Sequence, residues 1–386
     1  METATSAKGL LMNIVVTKEN LAKALSLTQS VVERKTTMPI LANILLTVRE
    51  KGLQLAATDL EITALTSIDA RVQSTGSTTV NARVFSDIVR ELPDGEVSLS
   101  LSEGERLEIL AGKSKFRMIG VSADEFPSLP GITIEVSHRV PGKQFLEMIQ
   151  KTLYAVSHDE TRFNLNGVCF EALSEGKGKS TKKMVRMVAT DGHRLSMITR
   201  PFGELSFDGR AIVPAKGLSE LRKLLDDDDS EVGVALSDGF FVIESARGKI
   251  ATRLIDGEFP DYNQVLPKKA GEIVSVPSGD FAQALRRAAL MVTDKGKCVK
   301  LDFGKDRLRI SSSSPELGES SEELAVGFKG DQTTVGFNAR YLLEFCSSIE
   351  EEQPLLLELS GELGPARLKV EGDDSYFGVV MPMRLN

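Results

Sequence analysis

Asp191 and His193 are the pair whose types and spacing invite acid–base chemistry, because a carboxylate two residues from an imidazole can orient it as a general base. A base needs a nucleophile or a metal to serve. No Ser or Cys of this chain sits in an elbow or other activating motif. The three histidines, His138, His158 and His193, show no HExxH or comparable metal spacing. Catalysis is therefore not expected, and His193 is expected to shape a binding surface by hydrogen bonding. The three cysteines, Cys169, Cys298 and Cys346, are isolated and form no CxxC pair, as in a reduced, cytoplasmic protein. Gly176 to Lys183 resembles part of a phosphate loop but lacks the upstream glycine at Walker spacing. It falls between two strand-like runs with no helix after it, so a hairpin tip is expected. No cofactor and no metal is expected.

The other stretch with chemistry in it is the tail, Val379-Val380-Met381-Pro382-Met383-Arg384-Leu385-Asn386. Chain ends are usually polar and frayed. This one is mostly apolar and stiffened by a proline, so it is expected both to complete a sheet and to line a surface that another molecule uses.

The elements that must position these residues recur three times. Val16-Thr17, Val140-Pro141 and Val276-Pro277 each open a helical pattern. Their apolar faces read Leu21, Ala24, Leu25, Thr28; then Phe145, Met148, Ile149, Thr152; then Phe281, Ala284, Leu285, Ala288. A second helix starts at Val80-Asn81-Ala82-Arg83, Val213-Pro214-Ala215-Lys216 and Phe337-Asn338-Ala339-Arg340. Between the two helices of each repeat lies a strand-like run, Leu53 to Thr58, Val185 to Thr190 and Leu308 to Ser313. Short alternating runs such as Glu96 to Leu101 and Leu355 to Leu359, punctuated by Gly, Asp and Asn, read as antiparallel strands joined by hairpins. The fold class expected is α+β: three repeated domains, each two helices packed on antiparallel sheet. Their boundaries fall at 12–137, 138–271 and 272–386, with residues 1–11 as an N-terminal extension.

Composition fits a soluble globular chain, with 41% hydrophobic and 26% charged residues and no Trp. No window approaches the ~18 apolar residues of a membrane span. A net charge of −8 argues against nucleic-acid binding by bulk positive charge. The helical segments run the other way: Lys18, Lys23, Arg83, Arg90, Lys143, Lys151, Lys216, Arg222, Lys223, Arg286, Arg287 and Arg340 outnumber their acids. If the helices line the inside of an arc, that inner surface is positive and the outside negative. The acidic run Asp226 to Asp229 reads as a solvated loop.

With Ala189-Thr190-Asp191-Gly192-His193-Arg194-Leu195 joined to the Val-Val-Met-Pro-Met-Arg-Leu tail, the chain resembles the bacterial sliding clamps, the β subunits of DNA polymerase III holoenzyme. Pro39 to Ile44, Ala57 to Glu61, Leu165-Asn166-Gly167 and Asp256 to Tyr262 support the likeness, which runs from about Met12 to the end.

The resemblance implies a homodimer closing head to tail into a ring of six domains around double-stranded DNA, without sequence contacts. It implies a pocket for partner peptides at Leu165, Thr190, Gly192, His193, Arg194, Leu195, Pro260, Val265, Asn338, Tyr341 and the tail residues Val379, Val380, Met381, Pro382, Met383, Arg384 and Leu385. Gln264 and Gly296 stand where familiar members often carry a larger or charged side chain. DNA-facing places fall at Arg34, Lys35, Arg83, Lys151, His158, Arg162, Lys216, Arg286 and Arg287. Across the dimer seam Phe116 and Met118 are expected to meet Leu290 and Met291. The partners implied are the polymerase III catalytic subunit, the clamp loader, translesion polymerases, mismatch-repair proteins and ligase, in the cytoplasm at the nucleoid, with no membrane. The competing reading is a repeat scaffold that binds peptides without encircling DNA.

Overall fold

The computed structural model describes residues 11–33, 37–175, 182–202, 209–225, 230–266, 271–293 and 298–385. Most of the N-terminal extension, Arg34, Lys35, most of the phosphate-loop-like stretch, the acidic run and Gly296 lie outside the described residues.

Six helices carry the repeat. The first of each pair is α1 (Lys18–Gln29), α3 (Gly142–Leu153) and α5 (Ser278–Ala289). The second is α2 (Ala82–Glu91), α4 (Ala215–Leu225) and α6 (Ala339–Cys346). Leu21, Ala24, Leu25, Phe145, Met148, Ile149, Phe281, Ala284, Leu285 and Ala288 are all buried, so the period of 3.6 read from sequence is the face that packs. Asn81 and Asn338 cap α2 and α6, their Oδ1 atoms accepting from Val84 N and Arg340 N at 3.0 Å each. The alanine after each asparagine is the first helical residue because the cap satisfies an amide that has no intrahelical partner.

The chain divides into two compact units, Met1–Leu146 with Lys216–Leu254, and Glu147–Ala215 with Ile255–Asn386. In the first, a five-stranded sheet runs in the order Arg71–Ser74, Met12–Thr17, Glu96–Ser102, Arg106–Ala111, Ser114–Ile119. Its inward residues, Met12, Ile14, Val16, Val97, Leu99, Leu101, Leu107 and Ile109, alternate along each strand. They share one core with Ile44, Leu46, Val48, Leu53 and Leu55 of an eight-stranded sheet and with Phe85 and Val89 of α2. That eight-stranded sheet joins repeats, since Gly248–Arg253 pairs antiparallel with Ile62–Ile68.

The second unit repeats the device. Its eight-stranded sheet runs Arg210–Pro214, Gly167–Glu175, Lys182–Thr190, Arg194–Pro201, Asp373–Val380, Ala366–Val370, Pro354–Leu359, Glu272–Pro277. The C-terminal strand lies between the middle repeat's Arg194–Pro201 and its own repeat's Ala366–Val370. Gly167–Glu175 and Lys182–Thr190 pair antiparallel, with Glu175 opposite Lys182. A four-stranded sheet, Gly318–Ala325, Arg307–Ser314, Cys298–Gly304, Thr333–Asn338, completes the unit. No described helix is long and apolar enough to cross a membrane.

Candidate functional site

The Thr-Asp turn that opens the site occurs twice. In the first unit Thr58 Oγ1 donates to Ile62 O at 2.9 Å and accepts from Leu60 N at 3.0 Å, while Asp59 Oδ1 accepts from Glu61 N and Ile62 N. In the second, Thr190 Oγ1 donates to Arg194 O at 2.6 Å and accepts from Gly192 N at 3.1 Å. There Asp191 Oδ1 accepts from His193 N at 2.9 Å and Arg194 N at 3.0 Å. The third turn residue is left-handed in both, Leu60 at φ 77° and Gly192 at φ 88°. Short polar side chains compete for backbone donors and so fold the chain locally into this turn.

Asp191 therefore does not orient the His193 ring. Its second oxygen, Oδ2, accepts from Arg194 Nε at 3.1 Å. The imidazole of His193 is exposed, and the residue serves the site through its main chain, its carbonyl accepting from Met381 N at 2.9 Å.

Arg194 is the buried hub, 7% exposed. Its guanidinium also donates to Glu344 of α6 and to Tyr154 O, and stacks on Tyr341 with 4.5 Å from Cζ to the ring centroid. Such a cation is tolerable only because every edge of the planar fork finds an acceptor or a ring. Along the same strand Arg200 repeats the arrangement with Glu147 at 2.8 Å and Asp373 at 3.2 Å. Residues 194, 196, 198 and 200 face the helices, and Leu195 and Met197 face the other way.

On that other face Leu165, Leu195, Phe259, Tyr262, Phe377 and Val379 form one apolar cluster, with Leu195 directly opposite Val379. Val380 stands opposite Arg194, and beyond it the tail leaves the ladder, Met383 N donating to Gly336 O at 2.8 Å. A Cβ on Gly336 would lie 2.8 Å from Leu385 and 2.9 Å from Cys298, so the tail end rests on a glycine because nothing larger fits. Met381 is 38% exposed and Val265 44%, while Pro260 and Arg384 are exposed and Pro382 is half-buried. Asn338, the cap of α6, sits one turn before Tyr341 on the same helix. All seventeen residues anticipated for the pocket thus belong to one unit, around the end of the strands Arg194–Pro201 and Asp373–Val380.

Several other anticipated residues fall differently. Lys151 is drawn inward, its side chain 17% exposed, pairing with Glu147 at 2.8 Å and lying 4.7 Å from the Tyr376 ring centroid, so it is no free basic head. Arg162 braces the Asp191 turn, donating from Nη1 to Asp191 O at 2.9 Å, and also pairs with Asp159. Lys216 is held by Glu33 at 2.6 Å and Asp59 at 2.5 Å. Arg83, His158, Arg286 and Arg287 are exposed, Arg287 pairing with Glu322. Met118 is 7% exposed and belongs to the first unit's core. On the same edge strand Phe116 is 38% and Ile119 86% exposed, and Leu290 after α5 is 73% exposed. Met291 is half-buried.

Sequence reasoning missed Glu344, Tyr154 and Arg200. Their partners lie far away along the chain, and no local pattern marks them. The Thr-Asp turn was legible as a repeat.

Three family profiles match in succession: DNA polymerase III β subunit N-terminal domain over residues 12–130, central domain over 139–261 and C-terminal domain over 263–384. The β sliding clamp of Caulobacter vibrioides is 35% identical over 378 residues, covering 97% of this chain and 100% of that protein. That of Escherichia coli K12 is 34% identical over 377 residues, with the same coverage. Among solved structures, the Caulobacter crescentus β sliding clamp carrying a bound polyethylene glycol superposes with a TM-score of 0.91 at 34% identity, covering 98% of this chain and 100% of that one. The Bartonella birtlesii clamp bound to griselimycin gives 0.91 at 31% identity, covering 97% and 100%.

Proposed function

This chain belongs to the sliding clamp family of DNA polymerase III β subunits, and we propose that it works as a DNA sliding clamp and processivity factor. The observation that carries this reading is the likeness to clamp structures over 98% of the chain at a TM-score of 0.91. Two copies close head to tail into a ring around double-stranded DNA, the first domain of one meeting the third domain of the other. Exposed Phe116, Ile119 and Leu290 support a seam at those places. A ring holds DNA by topology, which is compatible with a net charge of −8. Diffuse basic residues such as Arg83, Arg286 and Arg287 then give a weak, sequence-independent grip that permits sliding.

Partner proteins dock an extended segment on the surface around the tail. Val265 and Met381 offer exposed, adaptable apolar contacts, Leu195 and Val379 lie in the buried cluster, and the buried Arg194 network holds the strand ends that carry the tail. Docking there keeps a polymerase at high effective concentration on its template. The partners are the polymerase III catalytic subunit and the clamp loader, with translesion polymerases, mismatch-repair proteins and ligase sharing the same surface, in the cytoplasm. The role is binding rather than catalysis, since both Asp191 oxygens are already engaged by the turn and by Arg194.

The test is retention on circular DNA after loading by the cognate clamp loader with ATP. Release on linearising the DNA is expected. A chain that falls off circular and linear DNA alike is a non-encircling scaffold.

A further inference from the structure

We propose that Tyr262 is a positioning residue for partner docking, fixed by one polar row of the second unit's eight-stranded sheet so that Pro260 and Val265 are presented in a single register. The proposal rests on the docking reading above and adds the residue that sets this part of the surface.

The row is defined by strand register. On the sheet face away from the helices, Glu171 stands opposite both Arg210 and Arg186, and Arg186 stands opposite Thr199. Four neighbouring strands thus carry a line of cation, anion, cation and hydroxyl. Two residues along, the next line is Ile212, Cys169, Val188 and Met197, all within the buried apolar cluster. Residues two apart on a strand share a face, so the apolar ground ends abruptly at a polar row. That row is tied together, Arg210 Nε donating to Glu171 at 2.9 Å and Arg186 Nε to Thr199 Oγ1 at 3.1 Å.

Tyr262 spans the two lines. It is 3% exposed and its ring belongs to the apolar cluster, with the Arg210 guanidinium carbon 5.4 Å from the ring centroid. Its hydroxyl donates to Glu171 and accepts from Arg186 Nη1 at 3.2 Å. Burial, and next the bond to Glu171, push that hydroxyl above its ordinary 10, so it stays protonated and keeps its donor role at neutral pH. An apolar ring alone can slide over an apolar row, whereas a hydroxyl held from two directions cannot.

What this anchor carries is exposed. Pro260 stands at the surface two residues before it. Val265, 44% exposed, follows one short turn later, its amide donating to Tyr262 O at 3.2 Å. Asp261 caps that turn, Oδ1 accepting from Asn263 N at 3.1 Å. Tyr262 is the fixed point between the two exposed apolar side chains and, being buried, acts on a partner only through them.

The test is calorimetry with the purified cognate polymerase III catalytic subunit as the probe. Tyr262→Phe keeps the ring and removes the hydroxyl. Its Kd for the polymerase subunit is expected to rise about three- to ten-fold, the scale of a lost hydrogen bond. Pro260→Ala/Val265→Ala, which trims the apolar contacts themselves, should also weaken binding. Tyr262→Phe added to that variant should weaken it no further, because the two changes act on one set of contacts. Melting temperature follows the fold separately. Unchanged affinity in Tyr262→Phe, with or without a lower melting temperature, makes the tyrosine a structural residue and overturns the proposal. So does a loss that persists in full in the Pro260→Ala/Val265→Ala background, since Tyr262 then acts through other groups. If Pro260→Ala/Val265→Ala binds the polymerase subunit as tightly as the natural chain, this segment is not part of the docking surface, and the reading beneath the proposal falls with it.

Discussion

The amide of Met381 donates to the carbonyl of His193 across 2.9 Å, one residue past the last ladder pair between Arg194–Pro201 and Asp373–Val380. The final strand of the chain is thereby fixed on a strand of the middle repeat, and the residues after it are free to line a surface. Strand and tail are separable on this geometry: the first is core, the second is presented.

Removing Met381 to Leu385 tests that separation. The strand through Val380 keeps its partners on both sides, so the dimer and the bulk of the stability should survive. Binding of a polymerase-derived docking peptide, followed by calorimetry, should be lost. Full affinity in the truncated chain would show that the peptide docks elsewhere.

Gly192 tests the turn. It sits at φ 88°, and a Cβ there would lie 2.9 Å from Arg162 Nη1. Gly192→Ala should cost about 1–2 kcal/mol from the left-handed backbone and displace the Arg162 brace. The equivalent Leu60 already bears that strain at φ 77°, so Leu60→Gly should be neutral or stabilising by up to ~1 kcal/mol. Thermal denaturation of both variants checks the opposed signs.

Acid should loosen the second unit. Burial pushes the Glu147 carboxyl up, but hydrogen bonds from Arg200 and Lys151 outweigh it and hold the group below its ordinary 4.5. Asp373 behaves alike: burial raises it, and bonds from Ser375 and Arg200 bring it below 3.8. A carboxyl with a depressed folded pKa contributes stability that is complete above its unfolded pKa and lost as pH falls through the folded one. Melting temperature should therefore drop as pH falls below 4.5, and Glu147→Gln should flatten that slope. An identical slope in the variant would remove Glu147 from the account.

The proposed seam predicts different outcomes for Phe116 and Met118, two residues apart on one strand. Phe116→Lys or Leu290→Lys should leave the protomer folded, within about 0.5 kcal/mol, because both residues are exposed. Light scattering should then report the 42.0 kDa chain in place of a species twice that mass. Met118→Ala should instead destabilise the protomer by about 2–5 kcal/mol, since its side chain lies in the core.

Much of this molecule is written locally. The helix faces through Leu21, Phe145 and Phe281, the caps Asn81 and Asn338, and the alternation in Glu96–Ser102 depend on residues three, four or two apart, which any short window contains. The threefold repeat follows, because the same local signals return in the same order. The sequence also marks the tail as unusual, by its apolar content alone. What it does not contain is the choice of neighbours. That Asp373–Val380 lies against Arg194–Pro201, and Gly248–Arg253 against Ile62–Ile68, is decided by which apolar faces the folded core can close over. The first of those pairings brings Glu344 to Arg194 and the Tyr376 ring to Lys151, and the packing of the first unit's core buries Met118 while Phe116 stays exposed. A charge reads the same in sequence whether it ends in solvent or in an ion pair. Only the tertiary structure sets the desolvation and the partner that distinguish the two.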